Sequence, residues 1–229
     1  MEKVSVLTHI LFVLSTTFVV YQLYKASQRS GMLLAALVLW ALITAALGAA
    51  GFYRQGDQMP PRFLFLVGPG IAVVLIALFT QRGRAFSDSL DIADLTLLHS
   101  VRLPIEIVLY QLYAAALVPQ IMTFEGINFD IFTGFSAPII YYFTFMRRTM
   151  HLRWLLVWNF DCLILLFTIM ALAIMSSPTP FQQFGFEQPN TGVTYFPYVW
   201  LPSIIVPAAL LSHLVSIRKL RLRFRKYDG

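Results

Sequence analysis

In LLHSVRLPIEIVLYQLY, residues 97–113, the ionisable residues His99, Arg102 and Glu106 follow one another at intervals of three and four, and Tyr110 and Tyr113 continue the rhythm. At about 100° per helical residue these five side chains fall within an arc of roughly 80°. Leu103, Ile105, Ile107, Val108 and Leu109 fill most of the remaining circumference. A histidine and a carboxylate sharing one face can relay protons or hold a metal ion. Arg102 and Glu106 stand four apart, so a helical ion pair that merely neutralises both is the structural alternative. Pro104 lies between them and has no N–H to donate. It frees the carbonyl of Ser100 and favours a kink where the polar groups lie.

Two further segments place chemistry at matching depth. His213, in a late apolar segment, and His99 both fall roughly 3 to 6 Å from the same membrane boundary at a rise of 1.5 Å per residue. Glu106 and Asp161, the latter in VWNFDCLIL, both fall roughly 11 to 14 Å in. His99 and His213 therefore admit three uses: two axial haem ligands, two metal ligands completed by a carboxylate, or a proton relay. Two unrelated polar residues near a headgroup interface are the plain alternative. His9 lies near the opposite boundary and cannot join them.

These residues need a lipid setting to make sense. Of 229 residues 58% are hydrophobic and 12% charged, and the mean hydropathy is +0.71, too apolar for the surface of an ordinary soluble globule. A bilayer core needs roughly 20 apolar residues per helix. Segments near 4–24, 31–53, 62–80, 97–123, 130–146, 153–175 and 195–217 meet that need, the fifth being short and interrupted by Gly134 and Pro138. The expected fold is an all-α integral membrane protein of seven transmembrane helices, with residues 1–217 as the membrane domain and 218–229 as a basic cytoplasmic tail. The first apolar run is too long for a signal-peptide core and no small-x-small site follows it, so it reads as an uncleaved span.

Charge gives the direction. With alternating spans, Lys3, Arg54 and Arg62 lie on one side, whereas thirteen of the seventeen Lys and Arg residues lie on the other and Arg102 lies within a span. Cytoplasmic loops carry the excess of basic residues, so the N-terminus is expected outside and the C-terminus in the cytoplasm of a cell membrane. The tail residues Arg218, Lys219, Arg221, Arg223, Arg225 and Lys226 suit anionic lipid headgroups or simple anchoring. Asp88, Asp91 and Asp94, spaced by three, read as one acidic helix face capped by Ser87 or Ser89 and turned towards basic loops or the tail. On the outer side, FEGINFD offers the loop carboxylates Glu125 and Asp130, which read as solvated loop charges or as receivers of a cation. The aromatic, proline-broken run SSPTPFQQFGFEQPNTGVTYFPY reads as an ordered surface belt or a lid.

Several classes are excluded. Basic residues flank apolar segments and form no independent basic domain, so nucleic acid is no partner. The one cysteine, Cys162, permits no intrachain disulfide. The lysines Lys3, Lys25, Lys219 and Lys226 all lie outside the expected spans, which removes a retinal-type Schiff base. No P-loop, Gly-x-Ser-x-Gly, HExxH or Gly-x-Gly-x-x-Gly occurs. No cofactor is specified. What remains is an intramembrane polar site of His99, Arg102, Glu106, Tyr110, Tyr113, Asp161 and His213 that binds or translocates a small polar solute, ion or proton, with Glu106 and Asp161 titrating. The alternatives are a membrane-embedded enzyme with a metal or haem on His99 and His213, and a sensor or assembly subunit that meets a protein partner or a second copy of itself.

Overall fold

The computed structural model describes residues 4–54 and 61–225, and these form helices and connecting loops. The helices are α1 (Val6–Ala26), α2 (Gly31–Ala49), α3 (Leu64–Phe79), α4 (Gln81–Ser89), α5 (Ile92–Leu98), α6 (Arg102–Ala114), α7 (Ile131–Tyr141), α8 (Leu152–Met175) and α9 (Val206–Arg225). Side-chain caps account for many of the starts. Ser5 and Ser30 accept the N–H groups of Leu7 and Leu33 at 3.2 and 3.3 Å, and His151 Nδ1 accepts that of Arg153 at 3.1 Å.

Among the described residues four helices are long and apolar enough to cross a membrane, or five if α3 and α4, which meet at a 90° bend, count as one broken span. Each of the seven apolar segments read from the sequence contains a helix, with shifted limits. The fourth starts earlier, at Ile92, and ends at Ala114, so residues 115–130 form a loop in place of the expected last turns. The seventh starts at a π-helical turn, Leu201–Ile205, later than expected, and runs straight on to Arg225. Residues 218–225 of the expected tail are therefore the end of α9, and 226–229 lie outside the described residues. Lys3 and Lys226 lie outside the described residues.

The acidic segment also differs. Asp91, rather than Ser87 or Ser89, caps α5, its carboxylate accepting the Asp94 N–H at 3.0 Å. Ser87 and Ser89 instead donate to the carbonyls of Ala77 and Phe86. Asp88 and Asp94 thus sit on different helices, and each meets a basic partner: Arg218 at 3.0 Å and Lys25 at 2.8 Å.

α9 forms the centre, 78% of its span being buried, while α2 forms the rim with 11%. Around α9 pack α8, α5 and α3, with α1 against α5 and α6, and α7 against α6. Met32, Leu39 and Leu42 of α2, Val73 and Ile76 of α3 and Ile164 of α8 face outward. In lipid such side chains need no cover, so association rests on close packing and hydrogen bonds. Trp40 shows how. Pro207 cannot donate to the carbonyl of Ser203 four residues back, and the Trp40 indole N–H occupies that carbonyl at 3.0 Å, tying α2 to the top of α9.

Candidate functional site

The turn before α6, His99–Val101, is 3₁₀ rather than α. There the Arg102 N–H reaches the carbonyls of His99 and Ser100, so the carbonyl that Pro104 cannot serve has a partner. This turn delivers His99, Arg102 and, one turn on, Glu106 to the bundle interior, where all three are buried. Leu103 and Ile107 face outward, as the stripe requires. Tyr110 and Tyr113 are half-buried and stand apart from the cluster. Tyr110 stacks on Phe124, with ring centroids 5.1 Å apart.

Arg102 and Glu106 do not pair with each other. The Arg102 Nη1 forms an ion pair with Asp130, at the start of α7, and also reaches the Cys162 carbonyl at 3.5 Å. Its Nη2 lies 3.3 Å from His213 Nε2. Asp130 reads as a solvated loop carboxylate, and the structure corrects this because residues 127–130 alternate. Ile127 and Phe129 face out, while Asn128 and Asp130 turn in; Glu125 stays exposed. Gly134, one turn beyond Asp130, allows the approach: a Cβ there would collide with the backbone of Arg102 and Leu103. Asn128 then fixes Glu106, donating to its Oε1 at 2.6 Å and to the Met122 carbonyl at 3.0 Å, while its Oδ1 accepts the Asp130 N–H.

Asp161 is not part of this cluster. It is exposed on α8, whereas Asn159, two residues and about 200° away around the helix, is buried and contacts His213. Matching depth without angular phase selects the wrong residue of the pair. The Asn159 amide donates to the Leu155 carbonyl at 2.8 Å, which turns its Oδ1 to His213 Nδ1 at 2.9 Å. His213 therefore carries its proton on Nδ1 and offers Nε2 to the guanidinium, an assignment made from the hydrogen-bond network.

His99 stacks on His213, with ring centroids 3.7 Å apart and planes 15° apart, and Trp158 lies edge-on to His99. Ring-nitrogen lone pairs lie in the ring plane, so two nearly parallel rings direct them side by side rather than at one ion. Both His213 nitrogens are already engaged. Among the described residues no group of three or more His, Cys, Asp or Glu could hold a metal ion. The residues thus do not fit the two-histidine metal or haem site that the sequence allows. His9 lies elsewhere and meets the Tyr198 hydroxyl at 3.0 Å.

Beside the cluster lies a cavity of about 80 Å³, several times the space one water needs. Its walls are mostly apolar, from Val67, Leu109, Ile169, Met170 and Ile205, and its polar groups are Arg102, Glu106, Asp130 and Asn190. Glu106 Oε2 and Asn190 Oδ1 have no hydrogen-bond partner among the described residues, and neither has Arg102 Nε. Asn190 escaped the sequence reading because it sits in the long aromatic loop, where nothing marks it as buried. Its amide N–H is held by the Ala173 carbonyl at 3.0 Å. A second depression, lined by Tyr53, Arg54, Thr194 and Tyr195, shares Phe63 and Asn190 with this cavity.

At the opposite end, Arg218 and Lys219 are held by Asp88 and by the Leu90 carbonyl, whereas Arg221, Arg223 and Arg225 are exposed. The family model described as Domain of unknown function (DUF8737) matches residues 58–221, a stretch that holds every residue of the cluster and the cavity. No curated protein and no solved structure matches the chain.

Proposed function

The chain belongs to the family described as Domain of unknown function (DUF8737), and we propose that it is a polytopic membrane protein that binds or translocates a small polar solute, ion or proton at Glu106. The observation that carries this reading is the Glu106 carboxylate. One oxygen is fixed by Asn128, the other is buried without a partner on a residue that lines a mostly apolar cavity, and the neighbouring Arg102 is already neutralised by Asp130. A purely structural carboxylate in such a place is expected to have both oxygens satisfied, because an unpaired buried polar group is costly.

In this reading all seven apolar segments cross a cell membrane, with the N-terminus outside and the basic end of α9 in the cytoplasm. The distribution of Lys and Arg supports that orientation. Arg221, Arg223 and Arg225, exposed and unengaged by Asp88, are the residues that meet anionic headgroups, and Lys226 extends the series. His213, joined to the cavity-lining Arg102, and His99, stacked on it, serve as the polar continuation of the path.

Proteoliposomes with a pH-sensitive dye inside test the reading. Glu106→Gln keeps the shape and the Asn128 contact, so it leaves the melting temperature in detergent close to that of the parent while abolishing flux. Flux equal to the parent's in a folded Glu106→Gln protein rules the role out.

A further inference from the structure

Resting on the reading of Glu106 as the binding residue, we propose that the cavity takes a small alkylammonium, a primary amine in its cationic form, with its head between Glu106 and Asn190 and its carbon chain along the apolar walls. Four observations select this class. The two unengaged acceptors, Glu106 Oε2 and Asn190 Oδ1, line one cavity and call for a ligand that donates at least two hydrogen bonds. Arg102 is taken by Asp130, which leaves Glu106 without an ion-pair partner of its own, and a monocation supplies one. Leu109, Ile169, Met170 and Ile205 offer no further oxygen to a bare metal cation, which needs about six ligands, and they favour a ligand with an apolar body. A cavity of about 80 Å³ limits that body to a short chain.

Both acceptors are positioned before any ligand arrives. Asn128 spends its amide donors on Glu106 and Met122, and the Asn190 amide N–H is spent on Ala173, so neither acceptor can turn away from the cavity wall without breaking a hydrogen bond.

Calorimetric titration of the full chain in mild detergent tests the inference with butylammonium as the probe. One saturable site is expected, with 1-butanol binding about tenfold more weakly or worse for want of the charge-assisted bonds, and tetramethylammonium, which has no N–H, failing to compete. Asn190→Asp, which keeps the acceptor and adds charge, should bind butylammonium at least as well as the parent. Glu106→Gln should weaken it about tenfold. Equal affinity for butylammonium and 1-butanol, or no saturable binding in the parent protein, overturns the inference. If the parent protein nevertheless shows proton flux that disappears in Glu106→Gln, only the ligand class is lost and the role of Glu106 stands.

Discussion

Arg102 and Asp130 form an ion pair whose side chains are only 4% and 8% exposed, joining α6 to the first turn of α7 in the middle of the polar cluster. Deleting one charge strands the other. Asp130→Asn should therefore cost about 3 to 5 kcal/mol of stability, whereas the double replacement Arg102→Met with Asp130→Leu should cost much less, because it removes both desolvated charges together. Thermal unfolding of the three proteins in detergent decides the matter: a double variant less stable than Asp130→Asn would contradict the pairing.

Packing at Gly134 makes the second prediction. A methyl group there would collide with the backbone of Arg102 and Leu103, which cannot move aside as a flexible side chain would. Gly134→Ala should lower stability by about 1 to 3 kcal/mol and weaken the Arg102 contact with Asp130. Gly68, whose added Cβ would meet nothing, is the control site, and Gly68→Ala should be nearly silent by the same thermal measurement.

The direction of the stripe on α6 was legible because helical periodicity and the cost of burying charge point the same way. Its partners were not. Asp130 stands in a loop, and only the alternation of Ile127 and Phe129 with Asn128 and Asp130 hints that the loop turns inward. Depth alone points to Asp161, while the neighbouring Asn159, neutral and unremarkable in sequence, is the residue that α8 presents to His213. The helix limits moved for local reasons: Asp91 offers an earlier cap than the hydropathy profile suggests, and the tight turn at Ala116 ends α6 long before the apolar residues run out.

Asn159 carries the third prediction. Its Oδ1 holds the His213 proton on Nδ1, so Asn159→Leu should leave that N–H unpaired at a cost of about 1 to 3 kcal/mol and allow the ring to change tautomer. Nitrogen-15 NMR of labelled histidine reads this directly. The parent protein should show Nδ1 protonated at His213, and an unchanged spectrum in the variant would mean that Asn159 does not set the tautomer.

At the basic end, Lys25 with Asp94 and Arg218 with Asp88 clamp α1 and α9 to the joint between α4 and α5, and three of these four side chains are at least a quarter exposed. Exposed pairs gain little in high dielectric and are screened by salt. Asp88→Asn should cost less than about 1 kcal/mol, and that cost should fade in concentrated salt. Asp94→Asn should cost more and keep more of its effect in salt, since Asp94 is the one largely buried member and burial shields its pair from ions.

The bond between Trp40 and Ser203 gives a test of why α2 stays attached although it buries little. Trp40→Phe removes the indole donor and leaves the Ser203 carbonyl without its partner, for about 1 kcal/mol or more. Pro207→Ala restores a backbone N–H four residues after Ser203, which can then satisfy that carbonyl from within α9. Trp40→Phe should consequently cost less in the Pro207→Ala background than in the parent. A double-mutant cycle measured by thermal unfolding reads the difference, and additive effects would show that the indole holds α2 by packing rather than by serving the carbonyl that proline leaves free.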